Sequence, residues 1–146
     1  EMLMILRIMF TDCMRFAGLG RWRKKVKGGV YINEIAMVRG DTMRLVISGI
    51  KNTDGEEYIL GDGDVIRLDV KKSAAEKAVI SKVVTAADQN NGELPVVILP
   101  EDTAGLAAGD YFFDIRLVTG NMDIYTIVPM SKLKILRNIT DIGAEV

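Results

Sequence analysis

A chain of 146 residues, 49% hydrophobic but only 6% aromatic, has enough apolar mass for one core built from Val, Ile, Leu and Met. Its formal charge of −1 hides an asymmetry: residues 1–30 carry seven Lys/Arg against Glu1 and Asp12, and the remainder twelve against eighteen, so a basic start (+5) precedes an acidic body (−6). Such a body argues against a phosphate-tracking groove, and the absence of histidine removes the commonest general base and metal ligand.

Residues 2–10 are apolar and residues 21–27 strongly basic. A secretory leader has the opposite order, with its charge ahead of the apolar run, and here Arg7 interrupts that run. A membrane-surface helix is a second reading, with Arg7 and Arg15 flanking an apolar face. The reading we favour is translated upstream sequence. Lys27-Gly-Gly29 can be encoded as AAA-GGA-GG, a bacterial ribosome-binding sequence, a few codons ahead of plausible starts between Val30 and Met37. Residues 1–31 are therefore expected to lie outside the fold, with the domain at 32–140 and a frayed tail at 141–146. Cys13 is alone, which excludes an intrachain disulfide and a Cys-based zinc site. No apolar run is long enough to span a bilayer.

In the body, Arg39-Gly-Asp41 spells an integrin-type tripeptide but reads as a turn into a strand in which Met43, Leu45 and Ile47 alternate with Arg44, Val46 and Ser48. Asp54-Gly55 marks a hairpin tip. Tyr58–Leu60 is expected to start a short strand, and residues 61–64 turn again into Val65–Val70, where Ile66, Leu68 and Val70 share one face. Asp54, Glu56, Asp62 and Asp64 suggest calcium, but their spacing fits no calcium loop, so they read as solvated turn carboxylates.

Residues 71–78 have helix-friendly small side chains and read as an exposed connection with about one helical turn. Strands are expected at 79–84 and at 94–99, where Pro95 suits a sheet edge. Asp102 or Thr103 is placed to cap a helical turn with Leu106 pointing inward and Gly109 ending it. A hairpin follows: Tyr111, Phe113, Ile115 and Leu117 fall on one face, Thr119-Gly-Asn121 turns, and Ile124, Thr126 and Val128 alternate with Tyr125 and Ile127 on the return. A last strand covers 132–136.

Seven to eight short strands separated by turns predict an all-β, antiparallel sandwich. Chemistry is hard to find. Serines 48, 73, 81 and 131 have no histidine to activate them, and Gly49, Gly61 and Gly63 lie in turns rather than in a phosphate loop. No catalytic, cofactor-binding or metal-ligating residue is assigned, no cofactor is expected, and the chain reads as a non-enzyme.

The ordered blocks Arg39–Thr42, Asp54-Gly55, Val65–Ser73, Ile98–Leu106, Gly109–Arg116, Ile124–Ile127 and Leu133–Ile135 resemble the small immunoglobulin-like domains encoded among tail and baseplate genes of bacteriophages and prophages. The nearest likeness, over about residues 36–140, is to the N-terminal domain of the phage upper baseplate protein family. The resemblance implies an immunoglobulin-like sandwich and a virion building block, assembled in the bacterial cytoplasm. It would dock to other tail or baseplate proteins, or to copies of itself, and not to nucleic acid or membrane. Without a fibre or receptor-binding region in the sequence, a small assembly or decoration subunit is expected. The alternative is a carbohydrate-binding or adhesive module using exposed Tyr58 or Tyr125 as a stacking platform, and an enzyme would need carboxylates converging in a cleft.

Overall fold

The computed structural model describes residues 7–8, 14–17, 21–27, 30–51 and 56–140. Cys13, the turn tip at Asp54-Gly55 and the tail 141–146 lie outside them. Residues 7–27 contribute β1 (Arg7–Ile8), β2 (Met14–Ala17) and β3 (Arg21–Lys27). The rest contributes β4 (Val30–Val38), β5 (Met43–Ile47), β6 (Ile50–Lys51), β7 (Val65–Lys71), β8 (Ala78–Thr85), β9 (Leu94–Ile98), β10 (Gly109–Val118) and β11 (Ile124–Leu136). A 3-10 turn at Ala86–Asp88 and a short helix, α1 (Pro100–Ala104), interrupt them. The fold is all-β, as the alternation predicts.

One sheet runs β3-β4-β11-β10-β7-β8 and the other β2-β5-β9, while β1 pairs with β6. The strands from residues 7–27 all add at margins: β3 flanks β4 and β2 flanks β5. The two sheets face each other across one apolar layer, in a sandwich-like arrangement. Met43, Leu45 and Ile98 from one sheet line the same gap as Ile35, Leu68, Phe113 and Leu133 from the other, with no room for water. The core is aliphatic, with Tyr111 and Phe113 its only fully buried aromatics among the described residues.

The inward stripes follow the sequence. Met43, Leu45 and Ile47 are buried on β5, Ile66, Leu68 and Val70 on β7, and Tyr111, Phe113, Ile115 and Leu117 on β10. Pro95 is exposed on β9, an edge strand, where its missing N–H costs least.

Several elements differ from expectation. The sandwich is not wholly antiparallel, because β4 runs parallel to β11 before the chain crosses to β5 in the opposite sheet. The return strand of the hairpin and the last strand are one continuous β11. Register slips twice against β10, between Phe113 and Ile115 and between Ile115 and Arg116. Pro129, which has no N–H to give, sits at the first slip. The slips bring both Ile127 and Val128 to the interior and leave Met130 outside. Tyr58–Leu60 is not a strand, since the Leu60 N–H bonds Gln89 Oε1 (3.0 Å) instead of a neighbouring strand. Residues 72–77 turn without forming a helix. In α1, Asp102 accepts a bond from the Leu99 N–H (2.7 Å), Leu106 packs against the core, and Gly109 opens β10 rather than closing the helix.

Side chains tie the crossings between sheets. Gly40, at φ +85° in the β4–β5 turn, donates its N–H to the buried Thr103 Oγ1 (2.8 Å). Arg39 donates to Asn138 Oδ1 (2.8 Å) and to the Leu106 carbonyl (3.2 Å), which locks the β4–β5 turn to the segments around α1 and after β11. Tyr111 Oη, near the start of β10, donates to the Ala107 carbonyl (2.7 Å) four residues upstream.

That last bond gives a prediction. Tyr111→Phe keeps the buried ring, with Lys72 Nζ 4.5 Å from its centroid, and removes only the hydroxyl. Urea denaturation is expected to show about 1 kcal/mol lost, with the midpoint lowered and the slope unchanged.

Candidate functional site

Two places concentrate polar side chains: the junction of two turns around Asp64, and the outer face of the larger sheet. Asp64 ends the turn that leads into β7 and is buried. Its Oδ2 accepts from Tyr58 Oη and from the Gly61 N–H (2.9 Å), and its Oδ1 from the Gly120 N–H (2.9 Å) in the β10–β11 turn. Burial opposes the charge, but the bonds from Tyr58, Gly61 and Gly120 outweigh it and hold the carboxyl below its ordinary range. Burial, the bond to Asp64 and that neighbouring carboxylate push the Tyr58 hydroxyl well above its ordinary value, so it remains a donor. The two turns touch: a Cβ on Gly120 would stand 3.0 Å from the Asp62 carbonyl oxygen, and one on Gly63 3.2 Å from Gly120 Cα.

This geometry places the carboxylates read from sequence. Asp64 is a buried brace, Asp62 and Glu56 are exposed, and Asp54 lies outside the described residues. Among the described residues no three acidic, histidine or cysteine side chains converge to hold a metal ion. Asp102 is engaged similarly. Burial again opposes its charge, and bonds from Lys82 Nζ (2.7 Å) and the Leu99 N–H more than compensate. Arg39-Gly-Asp41 is a turn into β5, with the Asp41 N–H on the Val38 carbonyl (3.1 Å) and the arginine already bonded.

Tyr111 is buried, and Tyr58 and Tyr125 are half-buried against the core. Ser81 Oγ donates to Asp69, and Ser131 Oγ to the Pro129 carbonyl (2.8 Å).

The outer face carries a recess of about 340 Å³ lined by Asp69 and Lys71 of β7, Phe112, Asp114 and Arg116 of β10, and Met130 of β11. Register puts Asp114 opposite Asp69 and Arg116 opposite Arg67. Like charges directly opposite destabilise a sheet, and here each is answered along its own strand. Arg67 bonds Asp69 (3.0 Å) and Arg116 approaches Asp114 (3.7 Å). The result is a neutral four-charge patch beside a floor made by Phe112. Met130, exposed at 63%, stands at its rim, with Val83 and Val79 exposed farther along the face on β8. Sequence alone does not group these residues, because the grouping depends on strand register and on the slip beside Pro129. The arrangement suits a protein side chain or segment laid across the sheet: an apolar contact flanked by donors and acceptors of both signs.

Comparison with known protein families finds none that matches the chain, and comparison with curated proteins finds none either.

The Asp64 brace predicts an acid-labile contribution. Its folded pKa lies below the unfolded one, so its stabilisation is complete above the unfolded value of about 3.9 and is lost as pH falls through the folded value. Asp64→Asn is expected to cost about 1.5–3 kcal/mol at neutral pH, because the amide turns a donor toward a buried N–H. In urea titrations from pH 7 down to 2, the gap between the native chain and the variant should narrow. A gap that stays constant would contradict the brace.

Proposed function

We propose that this chain is a non-catalytic building block of a bacteriophage or prophage tail or baseplate. In this reading it is an immunoglobulin-like module that acts by docking to neighbouring virion proteins. The strand arrangement supports the immunoglobulin-like part. In the body of the chain, strands β4-β11-β10-β7-β8 face β5-β9, its first strand, β4, lies parallel to the last, β11, and a tyrosine at the start of β10 bonds the backbone just upstream. That tyrosine corner, next to the connection from the smaller sheet, is a hallmark of immunoglobulin-type sandwiches. The block resemblance over residues 36–140 supplies the phage context.

The observation that carries docking is the outer face of β10, β7 and β11. A neutral charge quartet and a recess of mixed polar and apolar lining, with Phe112 in it, stand beside Met130, which is large, apolar and exposed. Interfaces draw their affinity from such central apolar anchors with satisfied polar rims. The ionisable groups with perturbed pKa values, Tyr58, Asp64 and Asp102, are each engaged in bonds that hold turns, a structural use.

Light scattering of the full chain with the proteins of adjacent tail genes tests this. A complex of fixed stoichiometry is expected, and Met130→Asp should weaken it at least tenfold while leaving the thermal midpoint within a few degrees. A chain that binds none of these neighbours would contradict the proposal, and a complex indifferent to Met130→Asp would move the docking surface elsewhere.

A further inference from the structure

The sheets have four outer strands in the body of the fold, and they are treated in two different ways. On β8 the middle residue Lys82 points inward, opposite Leu68, and is held by Asp102 (2.7 Å). On β9 Pro95 interrupts the donors. An inward charge and a proline are both devices that discourage an edge from pairing with another chain, and among the described residues neither β8 nor β9 has a strand paired on its outer side. The described inner positions of β4 and β5 carry neither device: Ile35 and Met37 occupy those of one, and Met43, Leu45 and Ile47 those of the other. These two strands are covered, by β3 and β2. Protection by side chain and protection by an added strand are thus complementary around the fold.

The longer cover is the more informative. Strand β3 pairs with β4 over seven consecutive positions, from Arg21 opposite Ala36 to Lys27 opposite Val30. Five of its seven residues are Lys or Arg, whereas the chain from residue 31 onward is net acidic, and Arg23 falls opposite Glu34. We infer that the β4 edge is a strand-accepting site for a basic extended segment, and that residues 21–27 are its built-in occupant. Backbone pairing gives such a site its affinity, and charge and register give it selectivity. Among the described residues β3 pairs with β4 alone, so its backbone bonds run along one edge of the sheet. This inference concerns the chain's own edge and stands whether or not its neighbours are tail proteins.

The test uses the full chain and a fluorescent peptide with the sequence of residues 20–28. Lys24→Pro combined with Lys25→Pro disables β3, because successive N–H groups point to opposite sides of a strand and one of the two must face β4. The double variant is expected to bind the peptide saturably, at least tenfold more tightly than the native chain, whose own β3 fills the site. It should bind a scrambled peptide of equal charge much more weakly. No binding by a folded double variant, or equal binding of the scrambled peptide, would overturn the inference.

If circular dichroism shows that the double variant does not fold, a second chain decides the matter. Lys24→Cys with Asn33→Cys, in a Cys13→Ser background, places two thiols at directly opposed positions of the β3–β4 register. Under mild oxidation an intrachain disulfide is expected by mass spectrometry, and a chain that remains reduced would overturn the inference.

Discussion

The inward stripe of β10 is the constraint on which the rest depends. Tyr111, Phe113, Ile115 and Leu117 are all buried, and β10 is paired on both sides, with β11 and with β7. An apolar stripe on a sheet stabilises nothing until a second layer covers it, at roughly 25 cal/mol per Å² of apolar surface removed from water. The layer that covers it is β5 and β9, whose Leu45, Ile47, Val96 and Ile98 are equally buried. Every crossing between the two layers then has to be held in place, and this is where the polar side chains are used. Arg39 and Thr103 fasten the β4–β5 turn to the region of α1, while Asp64 fastens the turn before β7 to the hairpin turn after β10.

Asp64 illustrates why a buried carboxylate can be structural. Three donors point at it from two segments, so the cost of burying the charge is met by bonds that cannot all form unless the turns are in register. Gly63 and Gly120 allow the backbones to come this close, and neither position has room for a side chain without displacement. The sites with unusual ionisation are thus positions where the fold is joined. The outer face follows a different logic. Arg67 and Arg116 are answered by Asp69 and Asp114 along their own strands, and Phe112 and Met130 at the recess, with Val79 and Val83 farther along, give apolar surface to offer a partner.

Much of this was legible in the sequence, and the reason is periodicity. Strands such as β5, β7 and β10 have one buried face, so Met43-x-Leu45-x-Ile47 and Ile66-x-Leu68-x-Val70 announce both the element and its orientation. Pro95 marked its edge for the same local reason. The features that escaped depend on pairing partners. Nothing in Tyr58–Leu60 reveals that Gln89, 29 residues away, takes the Leu60 N–H. The β10–β11 slips could have been suspected from Pro129, which interrupts an otherwise alternating run, but their effect on Val128 and Met130 requires the register. The parallel pairing of β4 with β11 carries no sequence signal of its own, because it follows from where the chain crosses between sheets. The outer-face recess was illegible for a similar reason: Asp69 and Asp114 are 45 residues apart and meet only through the register of β7 with β10.

The central claim, that β10 is the scaffold to which both layers are fitted, is tested most directly by amide hydrogen exchange of the full chain followed by NMR. The slowest amides are expected in β10 and in the facing positions of β7 and β11, with Ile115 and Leu117 among them, opening only with the whole fold. If instead the β10 amides exchange as quickly as those of the exposed turn at residues 72–77, β10 is not the scaffold and the architecture argued from it does not hold.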